Sequence, residues 1–127
     1  MSQFSADSKL LVAEDDSLIR MVIGMALKPL KIQIFFAVDG LEVIEKTSEI
    51  LPHLIFMDVN MPNLGGIDAA NQIHQIESFQ QQPIVAYSAD PYLKDELGDR
   101  SPFCDYLDKP FVFNQAIDIL TKYLPLK

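Results

Sequence analysis

Two groups of acidic residues in this sequence stand where an apolar run stops. Asp58 closes the run His53-Leu54-Ile55-Phe56-Met57 and opens the turn Val59-Asn60-Met61-Pro62-Asn63-Leu64-Gly65-Gly66. Glu14-Asp15-Asp16 closes a second run, Lys9-Leu10-Leu11-Val12-Ala13. A strand that delivers a carboxylate to its end does so at a desolvation cost unless the group has a partner. Two such strands side by side gather several negative charges on one rim. A divalent cation with hard oxygen ligands relieves that repulsion, and a cation so held can receive a phosphoryl group. Ser88 follows the run Ile84-Val85-Ala86-Tyr87, and Lys109-Pro110 follows Phe103-Cys104-Asp105-Tyr106-Leu107. A hydroxyl and an ammonium thus stand in the same relation to apolar runs as the carboxylates do.

The elements that must position these groups are short apolar runs alternating with amphipathic stretches of helical length. Residues 10–13, 32–37, 54–57, 84–87 and 103–107 read as buried strands: continuous apolar segments too short for helices. Asp16 or Ser17 caps a first helix that runs to about Lys28, where Pro29 stops it. Asp39-Gly40 turns into a helix over 41–50. Gly65-Gly66 leads into one over 67–78, with Ile67, Ala70, Ile73 and Ile76 on one stripe. Asp90-Pro91 predicts a cap with proline at the first helical position and a helix ending near Gly98. A last helix covers 113–124. Five strands alternating with five helices imply an α/β fold: a five-stranded parallel sheet with helices on both faces, (βα)5, flavodoxin-like and doubly wound. Ligands of such sheets bind outside the strands' carboxyl ends. That rule brings Glu14, Asp15, Asp58, Ser88 and Lys109 to one edge.

The totals exclude several functions. A chain of 127 residues suits one domain, 1–127 with a core over 9–124, burying roughly two-thirds of its unfolded surface. A net charge of −8 opposes direct binding to nucleic acid or to anionic membranes. The single cysteine, Cys104, permits no internal disulfide and is expected to be half-buried. The stretch 1–8 is polar, and no apolar run reaches the ~20 residues of a membrane helix. These features predict a cytoplasmic location.

The ordered set Glu14-Asp15, Asp58 with Met61-Pro62 and Gly66, Ser88-Ala89, and Tyr106 with Lys109-Pro110-Phe111 resembles the receiver domain of two-component response regulators. The resemblance runs from about Lys9 to Leu124. It implies a signalling switch, not an enzyme with a turnover substrate, that promotes its own phosphorylation and dephosphorylation. Asp58 is implied as the phosphoacceptor for a partner's phosphohistidine. Asp15, Asp58 and the backbone carbonyl of Asn60 are implied as Mg²⁺ ligands, with Glu14 acting through water. Lys109 is implied as the cation that pairs with phosphoryl oxygens, through an X-Pro bond often cis in this family. Ser88 is implied as the hydroxyl that moves to the phosphoryl group, with Tyr106 changing rotamer in step. His53 and His74 match no donor motif, so the phosphodonor is expected on a partner: a sensor histidine kinase or a histidine phosphotransfer protein.

The first helix carries more apolar residues than one core face needs. Ile19, Val22, Ile23 and Ala26 are expected to face the core. Leu18, Met21 and Met25 form a second stripe beside the metal ligands and predict a docking surface for that partner. The charge pattern before the fifth strand does not match dimerising DNA-binding relatives, so a monomer or weak dimer is expected. Two rival readings share the fold. A flavodoxin-like electron carrier would need a phosphate loop after the first strand, where this chain has three acids. An Mg²⁺-dependent aspartyl phosphohydrolase would need a general acid where Asn60 stands.

Overall fold

The computed structural model describes residues 3–127. Residues 1 and 2, part of the polar leading stretch and of the expected 1–127 domain, lie outside the described residues. Five parallel strands alternate with five α-helices. They are β1 (Lys9–Ala13), α1 (Ser17–Leu27), β2 (Gln33–Ala37), α2 (Gly40–Ile50), β3 (Leu54–Asp58), α3 (Gly66–Gln75), β4 (Ile84–Ser88), α4 (Leu93–Leu97), β5 (Asp105–Asp108) and α5 (Phe113–Tyr123). The sheet order is β2-β1-β3-β4-β5. Every neighbouring pair is parallel, as the expected doubly wound α/β fold requires. No described helix is long and apolar enough to cross a membrane.

Strand side chains alternate between two apolar layers. Leu10, Val12, Leu54, Phe56 and Val85 pack with Ile23 and Leu27 of α1 and Ala116, Ile119 and Leu120 of α5. Leu11, Ala13, Ile55, Met57, Ile84 and Ala86 pack with Val43 of α2, Ala69, Ala70 and Ile73 of α3, and Leu93 of α4. All five residues of β3 and of β4 are buried, which is why both read as unbroken apolar runs. Asp16 caps α1, its Oδ1 accepting the Leu18 and Ile19 amides at 2.8 and 3.4 Å. Pro29 follows in a 3-10 turn, Lys28–Leu30, and Lys31 closes it in the left-handed region at φ 57°.

Several expectations moved. The fifth strand begins at Asp105, not 103. Phe103 is buried, but the Ser101 hydroxyl accepts its amide at 3.1 Å, so its apolarity reflects packing below a loop. Asp90 accepts the Tyr92 amide at 2.9 Å and shapes a turn through Pro91, so α4 starts later and holds five residues. The third helix ends at Gln75 and a 3-10 turn, Glu77–Phe79, follows. Val22 is exposed, not part of the core face of α1, and Cys104 is exposed, not half-buried. The sequence pattern had not revealed that Phe4 and Leu126 form an antiparallel bridge, with Phe4 buried among the residues that line α1 and α5.

Candidate functional site

The strand order reverses between β1 and β3: β1 leads outward to β2, and the chain then crosses to β3 on the other side. That reversal opens a crevice at the carboxyl ends. Ala13 pairs with Met57 across it, so the next residues, Glu14 and Asp58, lie side by side. Both are buried, at 1% and 3% exposure, whereas Asp15 is exposed. One carboxylate oxygen from each of Glu14, Asp15 and Asp58 lies within 4.8 Å of the others. The rim predicted from the sequence is therefore assembled.

Lys109 supplies the opposing charge. Its Nζ stands 3.1 Å from Asp58 Oδ1 and 3.5 Å from Glu14 Oε1, and 5.0 Å from the centre of the Tyr87 ring. Its amide donates to the Ser88 carbonyl at 3.0 Å, which fixes it against the end of β4. The Lys109-Pro110 bond is cis, as expected. Asp58 Oδ1 also accepts the Asn60 amide at 3.2 Å, so the chain folds back over the carboxylate directly after the strand. Gly66 lets the start of α3 close on the end of β3: its amide donates to the Val59 carbonyl at 2.9 Å, and a Cβ there would sit 2.2 Å from the Asp58 carbonyl oxygen.

One ammonium does not satisfy this much negative charge. Burial, then hydrogen bonding with the Asp58 carboxyl, pushes the Glu14 pKa from its ordinary value up to about 7. Glu14 Oε2 accepts the Asp16 amide at 3.2 Å, but Oε1 is buried without a hydrogen-bond partner. A buried carboxylate oxygen that has no hydrogen-bond partner and meets the Lys109 ammonium only at 3.5 Å, among three carboxylates, marks a site short of positive charge. Hard oxygen donors partly open to solvent suit Mg²⁺, which retains waters and takes one or two carboxylates. The residues present therefore fit that ion. Burial, then the Glu14 charge, pushes Tyr87 up to about 12, so its phenol stays neutral.

Ser88, whose carbonyl meets the Lys109 amide, and Tyr106 each have their hydroxyl engaged with another partner. Ser88 Oγ accepts the Asp90 amide at 3.0 Å. The Tyr106 hydroxyl is hydrogen-bonded to that of Ser101, and its ring meets Phe103 edge-on at 6.0 Å. Leu18, Met21 and Met25 are exposed at 62%, 56% and 68%, as their stripe predicted. Leu18 and the unexpectedly exposed Val22 help line an apolar groove of about 490 Å³ with Pro110 and Phe111, reaching Lys109. His53 Nδ1 accepts the Lys9 amide at 3.0 Å and His74 Nε2 meets the Gln82 carbonyl at 2.9 Å, both away from the carboxylates.

Sequence reasoning overlooked Arg20 and Ser101. Arg20 Nη1 donates to the Glu14 carbonyl at 2.8 Å. Its place one turn into α1 hinted at a return to the end of β1. Ser101 carried no signal beyond preceding a proline.

The comparisons with known proteins agree with this geometry. The family model described as the response regulator receiver domain matches residues 10–121. The chain is 29% identical over 126 residues to protein PilG of Pseudomonas aeruginosa, covering 98% of this chain and 93% of that protein. It spans only 16% and 13% of two longer histidine kinases that it also matches. Among solved structures it resembles the receiver domain of sensor histidine kinase PA1611 from Pseudomonas aeruginosa, with a magnesium ion coordinated in the active site cleft. There the TM-score is 0.83 and the identity 26%, over 92% of this chain and 97% of that one. It also resembles a chain in the co-crystal structure of Saccharomyces cerevisiae histidine phosphotransfer protein Ypd1 and the receiver domain of Ssk1. That match has a TM-score of 0.83 and 30% identity, over 92% and 88% of the two chains. With a crevice built from the residues its sequence announced, the chain belongs to the response regulator receiver domains, the phosphoaccepting modules of two-component signalling.

Proposed function

We propose that Asp58 is the phosphoacceptor, that Glu14, Asp15, Asp58 and the Asn60 carbonyl hold Mg²⁺, and that Lys109 neutralises the arriving phosphoryl group. The observation that carries this reading is the meeting of three carboxylates within 4.8 Å with an ammonium 3.1 Å from Asp58. In the transfer, an Asp58 oxygen bonds to the phosphorus of a partner's phosphohistidine. The phosphorus–nitrogen bond breaks, and its electron pair returns to the imidazole, which takes up a proton. The product is an acyl phosphate, a covalent state open to carboxylates. Catalysis of such a step is mainly positioning and charge neutralisation. Mg²⁺, when bound, supplies positive charge to the phosphoryl oxygens. Burial of Asp58 keeps bulk water from the carboxylate, and Lys109 offers a compact charge on the other side.

The Ser88 oxygen is occupied as an acceptor, so its proton is free to donate to a phosphoryl oxygen. That contact exists only after phosphorylation, which makes it the differential interaction a population shift requires. Tyr106 changes rotamer in step. The domain spans residues 1–127, with its core over 9–124, and promotes its own phosphorylation and dephosphorylation. It acts in the cytoplasm as a monomer or weak dimer, without direct contact to nucleic acid or membrane. Its partner is a sensor histidine kinase or a histidine phosphotransfer protein, docking on Leu18, Met21 and Met25. The solved complex of Ypd1 with the Ssk1 receiver supports this choice of partner class.

Intact-mass measurement after incubation with a small phosphodonor and Mg²⁺ tests the reading. The wild type should gain one phosphoryl mass and Asp58→Asn none. Equal labelling of both proteins would reject Asp58 as the acceptor.

A further inference from the structure

We infer that Asp39 and Asn63, both outside the site, are positioning residues that hold the loop after Asp58 in the shape the metal requires. The inference rests on the reading of that loop as part of the Mg²⁺ site. Residues 59–65 leave the sheet at Asp58 and return to α3 at Gly66. Their own internal bonds are local: Leu64 donates to Pro62 at 2.7 Å and Gly66 to Val59 at 2.9 Å. Two bonds cross to the turn between β2 and α2. The Asn63 side-chain amide donates to Asp39 Oδ2 at 2.7 Å, and the Gly40 amide donates to the Leu64 carbonyl at 3.1 Å.

The turn on the far side is itself fixed. Asp39 uses its other oxygen to cap α2, accepting the Glu42 amide at 2.8 Å. Glu42 reaches back to accept the Val38 amide at 3.2 Å. One carboxylate thus joins the start of α2 to the tip of the acceptor loop. The Glu42 amide, then Asn63, holds the Asp39 carboxyl below its usual range. Gly40 allows the two turns to touch, since a Cβ there would lie 2.2 Å from the Leu64 carbonyl oxygen. Asn63 sits at φ 68°, a left-handed conformation that asparagine tolerates and most residues do not. The sequence therefore keeps asparagine where both the conformation and the bond to Asp39 are needed.

The consequence falls on Asn60, three residues before Asn63, whose amide already bonds Asp58 Oδ1 and whose carbonyl is the proposed ligand. Mg²⁺ demands near-ideal octahedral geometry, so it penalises a loose backbone ligand. Two single variants remove the link and spare its other roles. N63G loses the side chain and suits the left-handed backbone. D39S keeps a helix cap but is too short to reach Asn63. Each should weaken binding of Mg²⁺ alone about three- to tenfold, the worth of one net hydrogen bond. The metal-free unfolding temperature should fall by no more than about 2–8 °C in either, the cost of one hydrogen bond in a domain of this size. N63D should bind worse, by placing two carboxylates together. The exchanged pair D39N/N63D should recover binding, because the amide then donates from the other side.

Wild-type affinity in both N63G and D39S, or no recovery in D39N/N63D, would overturn the inference. Should the wild type itself bind no Mg²⁺, the proposed site fails instead. Amide exchange of residues 59–66 in metal-free protein would still judge the link. Faster exchange in N63G and D39S upholds it, and unchanged exchange refutes it.

Discussion

Glu14 is the residue on which the chemistry of the crevice turns. It is 1% exposed, one of its oxygens has no hydrogen-bond partner, and its pKa stands at about 7 against an ordinary 4.5. Burial outweighs the nearby ammonium of Lys109. The sign of the resulting pH dependence follows from proton counting. Between the unfolded and folded pKa values the native protein binds the proton more tightly, so stability falls as pH rises through that window. The contribution is complete below about 4.5, is lost as pH climbs through about 7, and is level beyond. Metal-free protein should therefore lose on the order of 1–3 kcal/mol of unfolding free energy between about pH 5 and about pH 8. Added Mg²⁺ should restore more at the higher pH, because it binds the ionised carboxylate. Denaturant melts at the two pH values, with chelator and with Mg²⁺, check both statements. Glu14→Gln should flatten the metal-free profile. An equal slope in that variant would assign the pH dependence to other groups.

At the scale of elements, the site rests on strand ends and on the short connections that follow them. The strands were legible because a buried parallel strand is a continuous apolar run, and Asp58 was legible because it ends one. The segment between β4 and β5 was not. Phe103 has the composition of a strand residue, yet it is buried beneath a loop, and the five-residue α4 has little amphipathic length to read. Hydrogen bonds across such loops leave no trace in composition or period, so Ser101 passed unnoticed. Ser101 nonetheless holds the Tyr106 hydroxyl and the Phe103 amide together. With Ser88 Oγ accepting the Asp90 amide, both groups proposed to move are engaged elsewhere in this state. If Ser101 stabilises the unphosphorylated arrangement, linkage requires it to oppose the phosphorylated one by the same factor. Ser101→Ala should then bind the phosphoryl mimic beryllofluoride about three- to tenfold more tightly. Ser101→Thr, which keeps the hydroxyl, should behave as wild type. Titration in the presence of Mg²⁺ decides the matter, and identical affinities in wild type and alanine variant would sink it.

The whole molecule confronts a partner with an access problem. Asp58 is 3% exposed at the bottom of an acidic rim on a chain of net charge −8. On the proposed function a partner's phosphohistidine comes over that rim, so the surface that receives the partner has to adjoin the crevice. The exposed face of α1 does: Leu18 lines the groove that reaches Lys109, and Met21 and Met25 continue the apolar stripe along the helix. Thioether and leucine side chains adapt to varied partner surfaces, and an exposed stripe of them is a recognised interaction feature. A small phosphodonor needs none of this surface, which separates docking from chemistry. Met21→Glu should reduce phosphoryl transfer from the cognate kinase or phosphotransfer protein by about 10-fold or more. Labelling by acetyl phosphate and the unfolding temperature should stay as in wild type, because Met21 is 56% exposed and outside the core. Parallel loss with both donors would mean that the substitution disturbs the crevice itself. Equal transfer with both would mean that the partner sits on another face, and the stripe on α1 would then need a different explanation.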